Sequence, residues 1–336
     1  MSLLGDCVKN AIPKIKNMKI AFVGKGGSGK TTLASITARY LAARKLPVLA
    51  IDADINQHFG QSLGLSEKEA SEIPAMGLEI NRIKEYLIGA NTNIGDVSEM
   101  VKTTPPSIGS HLLTITEDNS IYQHFIKEVD GIRIMAVGPF TEEDLGVKCY
   151  HSKTGSVELL LNHLIDKENE YVLVDMTAGA DSFASGLFTR FDVTFLVVEP
   201  TVKSVSVYEQ YKKYAEQYDV CIRVIGNKIE DESDIAFIRE HVGDDLIATF
   251  SHSQFVRSME KGAMRPLSEL ERENIQALDS IIAEVDRQEK DWDKYYVQAV
   301  EFHRKNAKSW ANTATGTDVT LQIDPSFSLK DAVEYM

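Results

Sequence analysis

Apolar residues fall along this chain in short unbroken runs rather than in strict alternation. Residues 18–24 (MKIAFVG), 47–51 (PVLAI), 132–137 (IRIMAV), 171–175 (YVLVD), 193–198 (VTFLVV) and 221–226 (CIRVIG) each read as a strand buried on both faces, with 246–250 (LIATF) a weaker one. Between them, 30–44 (KTTLASITARYLAAR), 155–166 and 204–217 carry the spacing of helices. Strand and helix alternate from the start, which predicts an α/β fold: a doubly wound, mainly parallel sheet with helices on both faces. The rhythm breaks at 64–130, a mixed and polar piece that reads as an insertion of helices and loops. It changes again after about 285. Residues 286–310 predict one charged amphipathic helix, followed by an irregular tail. The expected organisation is an N-terminal segment (1–17), one large domain (18–285) and a C-terminal helical extension with its tail (286–336).

Charge and cysteine content narrow the function classes. The 336 residues carry a formal charge of −14, which disfavours broad electrostatic binding to nucleic acid or to an anionic membrane. Three scattered cysteines make no disulfide framework. No apolar stretch is long enough to cross a bilayer, and Lys14, Lys16 and Lys19 interrupt any signal-like run, so a cytoplasmic protein is expected.

The chemistry is concentrated after the first strand. Gly24-Lys25-Gly26-Gly27-Ser28-Gly29-Lys30-Thr31 matches G-x-x-x-x-G-K-[ST] between a strand and a helix, the setting a P-loop requires. Its glycines let backbone N–H groups wrap phosphates, and the helix N-terminus adds positive potential. Lys30 is expected on the β- and γ-phosphates, Thr31 on Mg²⁺ and Thr32 near the α-phosphate. Asp175 and Asp52, each at a strand end, would complete the Mg²⁺ site at the sheet edge where ligands bind in such folds. The plainer reading of strand-end aspartates is as turn or helix caps.

Lys25, directly after Gly24, makes the loop K-G-G-x-G-K-[ST]. That pattern resembles the deviant Walker A loop of the MinD/ParA and nitrogenase iron-protein superfamily of P-loop ATPases. The resemblance spans much of 18–285. Asp52-Ala-Asp54-Ile55-Asn56 is similar to the family's switch I, and Asp175-Met176-Thr177-Ala178-Gly179 to its switch II. Val198-Glu199-Pro200-Thr201 and Asn227-Lys228 resemble the segments around the adenine base. The resemblance implies ATP and ADP as ligands, Mg²⁺ as cofactor and a homodimer. In it Lys25 reaches the partner's nucleotide, Asp54 positions the attacking water and Asn227 bonds the base. Lys25, Lys30 and Asp54 are thus the expected catalytic set.

Within the superfamily the chain looks most like the CooC-like nickel-insertion ATPases of carbon monoxide dehydrogenase maturation. Asp52-Ala-Asp54, Asn56 and Leu63-Gly64 carry that likeness, as do Val174-Asp175-Met176-x-Ala178-Gly179, Glu199-Pro200-Thr201 before Ser204, and Gly146-x-x-Cys149-Tyr150-His151. That branch has Cys-x-Cys where this chain has Cys149 and His151, so nickel is in question. Two chains would offer an S₂N₂ set suited to Zn²⁺ and open to other metals; the bland alternative is a loop Cys and His that bind nothing. His241, His252 and His303 lack partners at ligand spacing and are expected as surface or capping residues. Trp292, Tyr295, Tyr296, Phe302 and Trp310 are expected to pack the C-terminal helix on the main domain, with a docking surface as the second use. Cys7 reads as a terminal thiol and Cys221 as a strand core residue.

Three functions compete. One is an ATPase switch for metal-centre assembly of a client enzyme. The second is a spatial organiser of MinD or ParA type, which the acidic surface and the non-basic tail after 310 oppose. The third is a partner-binding module read through 64–130 and the C-terminal helix. A GTPase fits least, since Asn227-Lys228-Ile229-Glu230 has Glu where N-K-x-D has Asp.

Overall fold

The apolar runs become the interior strands of one eight-stranded sheet. A computed structural model describes residues 18–139, 150–177, 183 and 185–336. The strands are β1 (Met18–Gly24), β2 (Val48–Ala53), β3 (Leu113–Thr114), β4 (Lys127–Val129) and β5 (Ile132–Ala136), then β6 (Leu164–Ile165), β7 (Tyr171–Met176), β8 (Val193–Val198), β9 (Ile222–Ile229) and β10 (Leu246–Ser251). The sheet order is β10-β9-β8-β1-β7-β2-β5-β4, parallel except for β4 against β5; β3 and β6 form a separate small pair.

Helices cover both faces. They are α1 (Lys30–Ala43), α2 (Phe59–Leu63), α3 (Glu67–Ser71), α4 (Ile80–Ile88), α5 (Ser120–Phe125), α6 (Tyr150–His163) and α7 (Val202–Tyr218). After them come α8 (Glu232–Val242), α9 (Gln254–Glu260), α10 (Arg272–Arg287), α11 (Trp292–Asn306), α12 (Asn312–Thr315) and α13 (Leu329–Glu334). Strand side chains alternate between faces, so β1 sends Ile20 and Phe22 into a core with Leu33 of α1 and Leu278 of α10. Its Ala21 and Val23 enter a second core with Val157 of α6 and Tyr211 of α7. Residues 64–130 are polar outside but deliver Met76, Ile83, Leu87, Ile121 and Phe125 to that second core.

The C-terminal region departs from the expected single helix over 286–310. Helix α10 ends at Arg287, Gln288 is extended (ψ 148°), and α11 restarts at Trp292 under an Asp291 cap that accepts from Lys294 N at 2.9 Å. The break places Lys290 inside the molecule. It pairs with Asp166 at 2.9 Å and with Asp192, while Lys19 of β1 pairs with Asp166. Tyr295 anchors α11 by donating to Leu161 O at 2.6 Å, and its ring lies under the Arg190 guanidinium at 4.1 Å. His303, expected as a surface or capping residue, is fully buried between Thr103 Oγ1 (3.1 Å) and Val319 O (2.8 Å). It stitches the 64–130 segment to the tail. Cys221 precedes β9 rather than filling its core; it is half-buried and lines a cleft of about 570 Å³.

Candidate functional site

The glycine-rich loop lies between the C-terminal end of β1 and α1. Gly29 caps α1 with φ 92°, and a Cβ there would stand 2.2 Å from Asn227 Nδ2. Only glycine satisfies both constraints. A Cβ on Gly24 would meet Ser28 Oγ at 2.5 Å and Val197 O at 2.7 Å, so the loop is packed against β8. The first turn of α1 has no acidic residue and no side-chain cap, which keeps its N-terminus attractive to an anion.

Parallel register brings the acids together. Asp175 pairs with Phe22 of β1 on one side and with Asp52 of β2 on the other. Thr31 Oγ1 donates to Asp175 Oδ2 at 2.5 Å, and Lys30 Nζ lies 2.7 Å from Asp54 Oδ2. Lys30, Thr31, Asp52, Asp54 and Asp175 therefore share one edge of the sheet. Burial raises the Asp52 carboxyl well above the usual carboxylate range, and the Asp175 charge beside it adds to the shift. Burial likewise lifts Asp175 to about 7, against the pull of Lys30 and Thr31. At Asp54 burial also opposes ionisation, but the bonds from Lys30 and Asn56 outweigh it and hold the carboxyl low. Asp52 serves as a turn anchor too, accepting from Phe59 N at 2.9 Å and Asp54 N at 3.2 Å.

The residues expected around the base gather on the other side of the loop. Asn227 Nδ2 donates to Ser28 O at 2.7 Å and Lys228 Nζ to Gly27 O at 2.7 Å; Lys228 also pairs with Glu199. Thr201 caps α7 through its hydroxyl, 3.2 Å from Ser204 N, and Ser204 Oγ accepts from Glu199 N at 2.9 Å. Lys25 turns toward the start of α7, donating to Lys203 O. Gly26 and Gly27 are exposed, Thr32 is half-buried in the first turn of α1, and Pro200 lies between Glu199 and the α7 cap.

Not every expected residue falls in this cluster. Cys149 lies outside the described residues, as do Ala178 and Gly179; His151 is in the first turn of α6. Among the described residues no group of three or more His, Cys, Asp or Glu is placed to hold a metal ion. Of two neighbours that steady Asp54, the sequence pattern named Asn56 without a role and passed over Gln57. Asn56 bonds its carboxylate through both backbone N and Nδ2 at 2.9 Å, and Gln57 Nε2 bonds its carbonyl at 2.6 Å. Asn56 stands two residues on from an aspartate, a spacing that favours such side chain–backbone turns. Nothing in the local sequence marks Gln57.

Magnesium fits the acids found here. Asp175 Oδ1 and Ser28 Oγ are buried without a hydrogen-bond partner among the described residues, and the Asp52–Asp175 pair is two carboxylates in one dry place. Mg²⁺ keeps several of its waters and needs only one or two protein ligands, so a small oxygen set beside Thr31 suffices.

Known proteins share this fold. A chain of the Aquifex aeolicus MinC:MinD cell division protein complex has the same fold, with TM-score 0.52 at 19% identity over 82% of this chain and 97% of that one. The Pyrococcus horikoshii septum site-determining protein MinD, complexed with Mg-ADP, gives TM-score 0.52 at 14% identity over 80% of this chain and 96% of that one. By sequence, the chain is 26% identical to the carbon monoxide dehydrogenase accessory protein CooC of Rhodospirillum rubrum over 249 residues, 74% of this chain and 88% of that protein. An uncharacterised ATP-binding protein of Methanocaldococcus jannaschii is 25% identical over 238 residues, 70% of this chain and 89% of that protein. The profile of the CobQ/CobB/MinD/ParA nucleotide binding domain matches residues 20–292, and the chain belongs to that family.

Proposed function

We propose that the protein is a Mg²⁺-dependent ATPase that works as a nucleotide-switched dimer, and that its cycle serves metal-centre assembly of a client enzyme. One observation carries the ATPase reading. Lys30, Thr31, Asp52, Asp54 and Asp175 meet at one sheet edge beside an open helix N-terminus, with an orphaned carboxylate oxygen among them. The likeness to the accessory protein CooC supports the assembly role.

The chain's own groups have separable tasks. Backbone N–H groups of residues 26–32 and the α1 N-terminus hold the phosphates, and Lys30 leaves Asp54 to neutralise the transferred group. Thr31, Asp175 and Asp52 would hold Mg²⁺, which supplies charge neutralisation on the phosphate oxygens when bound. Asp54, ionised and steadied by Asn56, orients the water in line with the bond to be broken. Asn227 and Lys228 already grip the loop and present their remaining capacity to the base. Lys25 rests on Lys203 O in the single chain and crosses to the partner's nucleotide in the dimer. The metal cargo is assigned to Cys149 and His151 of two chains, as substrate rather than resident cofactor.

The test is the solution mass and ATP turnover of wild type and Lys25→Ala, with ADP and with a non-hydrolysable ATP analogue plus Mg²⁺. Wild type is expected to hydrolyse ATP and to dimerise only with the analogue; Lys25→Ala is expected to bind nucleotide, remain monomeric and turn over at least 100-fold more slowly, the scale of a transition-state cation supplied in trans. Monomeric Lys25→Ala with wild-type turnover would refute the dimer switch. Lys30→Ala is expected to lose nucleotide altogether. Metal bound per dimer, measured in wild type, Cys149→Ala and His151→Ala, judges the cargo: unchanged stoichiometry in both variants removes it.

A further inference from the structure

The turn after Asp54 contains a residue whose backbone and side chain both require explanation. Gln57 has φ 53°. Positive φ is disfavoured for side-chain-bearing residues, and glutamine is not among the types enriched there. Such a conformation persists where surrounding bonds hold it, and it concentrates at functional turns.

The bonds that hold Gln57 are specific. Its Nε2 donates to Asp54 O at 2.6 Å and stands 3.4 Å from Asp52 Oδ1. Its backbone N donates to the same Asp54 carbonyl at 3.3 Å. At the other end of the amide, Oε1 accepts from Gly138 N at 3.2 Å. The orientation of the amide follows from its partners, since a carbonyl needs the NH₂ and an N–H needs the oxygen. Gly138 lies just beyond β5, where Val137 N already donates to Asp52 O at 2.9 Å.

One side chain thus spans from the peptide of Asp54, whose carboxylate rests on Lys30 at 2.7 Å, to the exit of a neighbouring strand. We infer that Gln57 is a positioning residue for ATP hydrolysis: it fixes the Asp54 peptide, and through it the Asp54 carboxylate, and links that position to the chain leaving β5 at Gly138. The inference rests on the hydrolytic role proposed for Asp54. When phosphate takes Lys30 from Asp54, the Asp54 peptide is freed to turn, and Gly138 N feels the change through the amide. Gln57 touches no reacting atom, and its effect falls on turnover rather than on nucleotide binding.

Gln57→Gly and Gln57→Met separate the side chain from the backbone. Glycine accepts φ 53° without strain and deletes the bridge; methionine keeps the length and loses the polar ends. Wild type and Asp54→Ala are measured beside them for turnover, affinity for a fluorescent ATP analogue, thermal midpoint and amide exchange at Gly138. The expected result is a 10- to 100-fold fall in kcat in both variants, the scale of a misplaced catalytic group, with affinity within about twofold and faster exchange at Gly138. In wild type, exchange at Gly138 is expected to differ between the free and analogue-bound protein, and in both variants to lose that difference. Wild-type kcat in both variants overturns the inference, as does a loss of affinity and thermal midpoint parallel to the loss of kcat. If wild type and Asp54→Ala turn over alike, the role of Asp54 fails instead. Gly138 exchange then judges the bridge alone: nucleotide dependence that requires Gln57 sustains it, and absence of that dependence ends it.

Discussion

Two ends of the same sheet are built from the same residue types and reach opposite electrostatic results. At the C-terminal edge, Asp52, Asp54 and Asp175 share one lysine, Lys30, which is committed to Asp54. Burial drives Asp52 and Asp175 upward, and Asp175 keeps an oxygen without a partner. At the N-terminal edge, Asp166 and Asp192 face Lys19 and Lys290, and Lys290 touches both acids. There burial opposes ionisation of Asp166, but Lys19 and Lys290 outweigh it and hold the carboxyl low; Asp192 is kept up by burial while still accepting from Lys19 N at 2.7 Å. A buried cluster with matched charges is complete in the folded chain. A buried cluster with surplus acid is complete only with a cation. One end is closed within the folded chain, and the other carries the surplus acid expected of a cation site.

The largest expected effect breaks the matched end. Asp166→Asn leaves Lys19, whose side chain is fully buried, without its counter-charge. Removing one partner of a buried pair costs about 3–5 kcal/mol. The unfolding free energy extrapolated from urea titration should fall by that amount, the midpoint dropping at unchanged slope, with nucleotide affinity unaltered. A loss under about 1 kcal/mol would mean that water or Asp192 takes over the pairing, and that the two ends do not differ as described.

The same substitution at the other end should carry the opposite sign. The folded-state Asp175 carboxyl titrates at about 7 and the unfolded one near 3.8, so the folded chain binds the extra proton between those values and stability falls as pH rises from about 4 to about 7. Asp175→Asn removes that loss. Without ligand at pH 8 it should be more stable than wild type by on the order of 1–3 kcal/mol, and its thermal midpoint should vary less with pH. It should also lose the Mg²⁺ dependence of nucleotide binding. A destabilised Asp175→Asn protein at pH 8 would show that the carboxylate is compensated in the folded chain, and the distinction would fail.

What was legible in the sequence follows the same division. That Lys30, Thr31, Asp52 and Asp175 would meet was readable, because the loop motif and the strand-end acids have fixed places beside strand ends and the parallel sheet brings those ends to one edge. The matched cluster was not. Lys19, Asp166, Asp192 and Lys290 are far apart in sequence, and no motif or spacing ties them together. Lys290 was also placed inside an expected helix, whereas the structure puts it in the break before Asp291. His303 was misjudged for a related reason: its partners, Thr103 and Val319, come from segments with no recognisable periodicity. Gln57 escaped notice because its role depends on a positive φ and on Gly138, neither of which residue type announces.

The smallest predicted effect sharpens the comparison at a residue between the two ends. Glu158 of α6 is buried and accepts from Ser185 and from Gly186 N; a Cβ on Gly186 would stand 2.5 Å from Glu158 Oε1 and 2.9 Å from Phe302 Cγ of α11. It therefore borders both the chain that follows Asp175 and the C-terminal helix. Burial raises its carboxyl to about 7, opposed by Lys102 and Arg190. The sign is that of Asp175: the folded value exceeds the unfolded 4.5, so wild type loses stability as pH climbs from about 4.5 to 7. Glu158→Gln should flatten that part of the profile. The gain at pH 8 should be only about 1 kcal/mol, because neutralising Glu158 also deprives Lys102 and Arg190 of their carboxylate. The check is the change in thermal midpoint between pH 5.5 and pH 8, larger in wild type than in Glu158→Gln. Equal changes would mean that Lys102 and Arg190 keep Glu158 ionised throughout, which would place it with the matched charges of the N-terminal edge rather than with the surplus acid of the site.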